Sequence, residues 1–115
     1  MQRYCLTLQL KPSPSLIEQY LEYHRAVWPE VLESLRASGI EEMEIYLLGT
    51  TLFMVMDTDD AFTPEHKAAM DAANPTVQMW ERTMEQFQDV PAEGPKWKKI
   101  DLVFSLTRSL GSVQR

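Results

Sequence analysis

The order in which hydrophobic spacing changes along this chain constrains its fold more than any single residue does. Residues 3–10 alternate Tyr4, Leu6, Leu8 and Leu10 against Arg3, Cys5, Thr7 and Gln9, the pattern of a strand with one buried face. Lys11-Pro12-Ser13-Pro14 ends it, because proline has no ladder donor. Ser13 or Ser15 is placed to cap a helix reaching about residue 26, in which Leu16, Tyr20, Tyr23, His24 and Val27 fall at helical spacings. Trp28-Pro29 interrupts that helix. Proline disfavours helical geometry in the residue before it but fits the first turn of a new helix. The restarted segment is expected to run through Ser38, with Val31, Leu32 and Leu35 inward and Gly39 as its stop.

Alternation returns over 43–48 (Met43, Ile45, Leu47) and 52–57 (Leu52, Met54, Met56). The short connection Gly49-Thr50-Thr51 predicts an antiparallel hairpin. Helical spacing covers 64–88, broken at Asn74-Pro75, and its second half puts Val77, Trp80, Met84 and Phe87 on one face. A last alternating run, 97–107, carries Ile100, Leu102, Phe104 and Leu106. The order β-α-β-β-α-β predicts an α+β, ferredoxin-like fold: a four-stranded antiparallel sheet with helices over one face. Such a sheet leaves its other face bare, which predicts a homodimer.

With 115 residues and no internal linker the chain reads as one domain. Its last ~8 residues are expected to form a flexible tail. A net charge of -6 argues against nucleic acid or an anionic membrane as partner, since both require a basic face. The one basic cluster, Lys96, Lys98 and Lys99, is followed by Asp101 and reads as a solvated strand end. The N-terminus lacks a signal-peptide layout and the lone Cys5 cannot form an intramolecular disulfide, so the cytoplasm is the expected location.

Motifs for metal, phosphate or serine-nucleophile chemistry are missing: no zinc-spaced Cys/His pair, no Gly-rich loop, no Gly-x-Ser-x-Gly elbow. No cofactor or metal is therefore expected, and acid/base chemistry is what an enzyme of this sequence could do. Of the two histidines, His66 follows Thr63-Pro64-Glu65 at a helix start and reads as a surface residue. His24 shares a helix face with Tyr20 four residues earlier. An imidazole beside aromatic rings suits a sugar, whose C–H face the rings can cover. Spacing alone leaves His24 open between that role and a hydrogen-bonded histidine at a helix kink. It leaves Tyr20, Trp28 and Trp80 open between pocket and core.

The run Tyr20-x3-His24-x3-Trp28-Pro29-Glu30, followed by Gly39, Ile45-Tyr46, Leu52-Phe53, Trp80-x3-Met84 and Val103-Phe104, closely resembles the L-rhamnose mutarotase family. The resemblance extends from residue 3 to about 106 without a large insertion. It implies a homodimeric α+β barrel that interconverts the α and β anomers of a 6-deoxy-L-hexopyranose. It also implies that His24 is the proton-donating residue, acting as acid on ring opening and base on closing, and that Tyr20 binds the substrate. Of a pocket tryptophan pair the second is kept as Trp80, while the first is Met79; Met43 replaces a further substrate-binding tyrosine. Tyr46 is a candidate for an additional hydroxyl. The thioethers at Met43 and Met79 leave the choice between L-rhamnose and L-fucose open. The segment Met70 to Pro75 is similar to that of fucose-acting relatives, with Asp71 and Asn74 as candidate hydroxyl contacts and helix capping as the alternative for Asn74. Ring opening needs a proton delivered to the ring oxygen and one removed from the anomeric hydroxyl. Water or Glu30 is the candidate second proton carrier beside His24. The alternative functions are a cofactor-independent monooxygenase on the same dimeric fold and a non-catalytic module that binds a small ligand.

Overall fold

The computed structural model describes residues 1–113, with side chains through Leu110. Strand β1 (Gln2–Gln9) leads to helices α1 (Pro14–Arg25) and α2 (Pro29–Ala37). The hairpin β2 (Ile40–Leu48) and β3 (Thr51–Thr58) follows, then α3 (Pro64–Ala72), α4 (Pro75–Glu85), β4 (Lys98–Lys99) and α5 (Leu106–Val113). The sheet order is β2-β3-β1-β4 with every described pairing antiparallel, which is the ferredoxin-like arrangement.

Local chemistry sets the helix starts. Ser13 caps α1 by accepting from the Leu16 amide, and Asn74 caps α4 by accepting from the Thr76 and Val77 amides at 3.1 and 3.2 Å. Capping is thus the role the structure gives Asn74. Trp28 is held extended by Pro29, yet its carbonyl accepts from the Val31 and Leu32 amides, so α1 and α2 meet at a bend there. Gly39 closes the turn into β2 at φ +103°; a Cβ there would lie 2.9 Å from an Asp59 carboxylate oxygen.

All four helices from α1 to α4 contribute to one face of the sheet. Along β1 and β3 the inward residues pair across the sheet in rows, Leu8 with Leu52, Leu6 with Met54 and Tyr4 with Met56. On β2 the matching residues are Leu47, Ile45 and Met43. The Leu8–Leu52 row is packed against Leu10, Tyr20 and Phe87, all nearly inaccessible. Each such side chain contributes on the order of 1.5–3 kcal/mol by leaving water.

Three expectations need correction. A bulge between Ile40 and Glu42 interrupts period-two alternation, so β2 begins earlier than the expected residue 43. Leu32, expected inward, is half exposed, because Val31, Leu35 and Ser38 form the inward line of α2 and Leu32 lies a step round from it. The expected strand 97–107 contracts to Lys98–Lys99 with one further bond, from the Ile100 amide to the Cys5 carbonyl at 2.8 Å. Period-two alternation specifies an amphipathic strand but not which edge will pair with it. Leu102, Phe104 and Leu106 are each more than 60% exposed on an arm that leaves the sheet. The expected tail is helical through Val113, and its final residues, 114 and 115, lie outside the described part of the chain.

Candidate active site

The rows beyond Leu8–Leu52 open into a cavity of about 1130 Å³ between sheet and helices. Its floor is Tyr4, Leu6, Met43, Ile45, Met54 and Met56, and Tyr20, His24, Val77, Trp80 and Met84 face that floor from α1 and α4. Most of the lining is apolar, and charged side chains of α2 and β2, among them Glu33, Arg36, Glu41 and Glu42, add a polar portion. The other polar groups include the His24 imidazole, the Lys67–Asp71 ion pair (2.6 Å), Glu81 and the Gln88 carboxamide.

His24 sits in the last turn of α1. Its ring lies over that of Tyr20, with centroids 4.3 Å apart, and meets Trp80 edge to face at 5.5 Å. Trp28 then packs on Trp80 at 5.1 Å, so the bend at Pro29 places a second indole behind the first. His24 Nδ1 lies 2.9 Å from the Tyr20 carbonyl oxygen. A carbonyl can only accept, so Nδ1 carries the proton and Nε2 keeps its lone pair. Burial lowers the His24 pKa below its ordinary value, partly offset by that hydrogen bond. The neutral imidazole is therefore the resting form near pH 7.

Burial raises the Tyr20 pKa well above the ordinary phenol value, with the neighbouring Gln88 amide acting in the opposite direction and Glu81 adding to the rise. Tyr20 thus stays a phenol able to donate a hydrogen bond. Beside the cavity, whose lining includes Glu81, Lys96 joins the loop before β4 to α4 through Glu81 and Glu85, at 2.6 and 3.0 Å. Burial works against its charge, but the two carboxylates outweigh it and hold the Lys96 pKa above its ordinary value.

Four of the six residues expected at the site from sequence line this cavity: His24, Tyr20, Trp80 and Met43. Tyr46 does not. It follows Ile45 on β2, so the pleat turns it to the opposite sheet face, where it is 54% exposed and donates to Glu44. Met79 does not either, since one residue before Trp80 lies a hundred degrees round α4, and it too is 54% exposed. Glu30 is exposed in the first turn of α2, away from the cavity lining, and His66 is exposed at the start of α3. Sequence reasoning missed Gln88, Tyr4 and Trp97. For Gln88 a signal existed: it continues the Val77, Trp80, Met84 stripe one turn further as its only amide.

The comparisons agree on one family. A family model described as L-rhamnose mutarotase matches residues 3–106. An L-fucose mutarotase from Xanthomonas campestris is 42% identical, covering 100% of this chain and 95% of its own. An L-rhamnose mutarotase from Sinorhizobium fredii is 29% identical over 93% of this chain and 100% of its own. In structure, an L-rhamnose mutarotase from Formosa agariphila superposes with a TM-score of 0.72 at 22% identity, covering 92% of this chain and 99% of that one, and so shares the fold. On the strength of the match over residues 3–106 and the full-length relative, this chain belongs to the L-rhamnose mutarotase family.

Proposed function

We propose that the cavity holds a 6-deoxy-L-hexopyranose, L-fucose in preference to L-rhamnose, and that His24 moves the proton that opens its ring. The observation carrying this reading is the imidazole tied through Nδ1 to the Tyr20 carbonyl, its Nε2 left free in a cavity that is otherwise mostly apolar. Nε2 takes the proton of the anomeric hydroxyl. The C1–O5 bond breaks as C1=O1 forms, and O5 receives a proton from solvent. Rotation about C1–C2 presents the other carbonyl face; O5 then attacks and releases its proton, while the imidazolium returns one to O1. With Glu30 away from the cavity, water is the second proton carrier. Tyr20 donates to the sugar, Trp80 covers its C–H face, and Met43, Met54 and Met56 accept the C5 methyl group. The preference for L-fucose is supported by the 42% identity to the Xanthomonas campestris protein, against 29% to the Sinorhizobium fredii one.

Saturation-transfer NMR of anomeric exchange on L-fucose and L-rhamnose tests the reading. Faster exchange on L-fucose is expected. Binding of either sugar without exchange would instead favour a non-catalytic module.

The working unit in this reading is a homodimer. Val103 is 96% exposed, flanked on the arm by Leu102, Phe104, Leu106 and Leu110. The radius of gyration is 16.0 Å, whereas a compact chain of this length measures about 13 Å. An apolar arm held off the body in this way is stable when a second copy covers it. Light scattering should give the dimer mass, and Leu102→Asp with Phe104→Asp should shift it to the monomer. A monomeric wild-type protein at working concentration would remove the dimer from this account. The cytoplasm is the proposed location, where the free thiol of Cys5 is compatible with a reducing thiol pool.

A further inference from the structure

Part of the cavity wall is carried by a loop rather than by a helix or a strand. Residues 90–97 lie between α4 and β4, and the last of them, Trp97, is half-buried, lines the cavity and packs against both buried clusters of the core. Little else holds this loop. Between the bond from the Asp89 amide to the Gln9 carbonyl and the pairing of Lys98 with Thr7, no backbone hydrogen bond is found among the described residues. The side-chain bonds found there are those of Lys96, whose Nζ donates to Glu81 at 2.6 Å and to Glu85 at 3.0 Å. Those two carboxylates stand four residues apart on one face of α4, and Glu81 directly follows Trp80. Apolar contact is non-directional and lets a ring slide. An ammonium held between carboxylates on successive turns is fixed along the helix. The residue beside Trp97 is therefore anchored to the helix that carries Trp80, while Lys96 itself lies outside the cavity lining.

We propose that Lys96 is a positioning residue: bridging Glu81 and Glu85, it keeps Trp97 in place as cavity wall and so sets the affinity for the sugar without touching it. This rests on the sugar reading of the cavity and adds to it a part of the wall that is set by ion pairs. An aromatic wall contacts sugar C–H groups that take no part in the proton transfers. Its effect falls on ground and transition state alike, in KM rather than in kcat. The ion pairs are partly open to water, with the lysine side chain 21% exposed and the two glutamates 39% and 45%. Salt should therefore loosen the wall by screening them.

The test measures KM and kcat for anomeric exchange on L-fucose with wild type, Lys96→Met and Lys96→Arg, at low salt and at about 0.5 M NaCl. Lys96→Met should raise KM about two- to fivefold with little change in kcat, the range expected of two partly exposed ion pairs. Lys96→Arg, which keeps the charge, should restore most of the loss. High salt should raise KM for the wild type and leave that of Lys96→Met unmoved. Fluorine NMR of protein labelled with 5-fluorotryptophan reads the wall directly, from the resonances of Trp28, Trp80 and Trp97. The Trp97 signal, identified by its loss in Trp97→Phe, should shift in Lys96→Met and return in Lys96→Arg. If Lys96→Met folds poorly, Glu85→Gln, outside the cavity lining, should give the same changes at smaller size. A lower Tm with KM and the Trp97 signal unchanged would make Lys96 a strut for stability alone and overturn the proposal. So would a KM rise that arginine does not rescue, or a fall in kcat at constant KM. Absence of exchange or binding by the wild type on L-fucose and L-rhamnose would instead strike the sugar reading, and the fluorine signal, which needs no sugar, would still decide whether Lys96 holds the wall.

Discussion

The two ends of one sheet face have the same strands beneath them and the same helices above, yet only one end is closed. At the closed end Leu8, Leu10 and Leu52 interlock with Tyr20 and Phe87. Further along β3, Met54 and Met56 are buried with Ile40 and Phe62 in a second cluster, and there the helices stand off far enough to leave the cavity that both methionines line. Tyr20 belongs to both ends, with its ring in the core and on the cavity wall. A rigid core end thus holds the imidazole of His24 in place without occupying the space that a substrate needs. Stability and chemistry should be separable by position along the strands.

The largest separation is expected at His24. A positioned acid/base contributes about 10² to 10⁴-fold in rate. His24→Ala should slow anomeric exchange by that factor, with the circular-dichroism spectrum and urea midpoint nearly unchanged. Exchange that survives the substitution would move the chemistry elsewhere in the cavity. Leu52→Ala is the converse. At 1% exposure in the packed row, its truncation should cost about 2–5 kcal/mol of unfolding free energy in urea. The exchange rate per folded molecule should be near wild type; a proportional loss of both would mean that the two ends are not independent.

How far the sequence discloses these two ends differs. Period-two alternation in β1 and β3, with helical spacing in α4, identifies the packed row and its partners, because burial and periodicity are the same information there. It also brings Tyr20 and His24 to one face. It cannot say where a buried stripe stops being core and becomes wall, since Trp80 and Met84 satisfy the same spacing in either case. Neighbours in sequence mislead for the same reason. Tyr46 adjoins Ile45 and Met79 adjoins Trp80, but strand pleat and helix turn send them to other surfaces. Residues 97–107 have the alternation of a strand, but spacing carries no information on which edge pairs with it, and only Lys98–Lys99 form β4.

A third measurement probes the cavity end by pH. Burial lowers the His24 pKa, whereas in the unfolded chain it is about 6.5. The neutral form is the competent base, so kcat/KM corrected for the solvent-catalysed reaction should be level from pH 8 to about 6.5. It should fall by roughly tenfold per unit only below the folded value. Linkage has the same sign: the neutral imidazole's contribution to stability is fully present above about 6.5 and is lost as pH falls through the lowered folded pKa. A midpoint above 6.5 would mean that a carboxylate pairs with the imidazole in the free enzyme, contrary to the burial that lowers its pKa here.

The smallest effect is expected at Met54, directly beyond Leu52 on the inward face of β3. Met54→Leu conserves volume, and such exchanges cost less than about 1.5 kcal/mol even in a full core. Here the side chain is 8% exposed and borders the cavity, so the urea midpoint should scarcely move. A thioether differs from a branched chain in adaptability, as its unbranched chain can re-form around a methyl group or a hydroxyl. Leucine fixes one shape. The ratio of exchange rates on L-fucose and L-rhamnose should therefore change by about two- to threefold, the scale of a small packing difference. The same substitution pattern at the closed end, Leu52→Met, should leave that ratio untouched. A shift there as large as at Met54 would show that the packed end also shapes the cavity, and that the boundary between core and wall lies nearer Leu8 than the rows of the sheet place it.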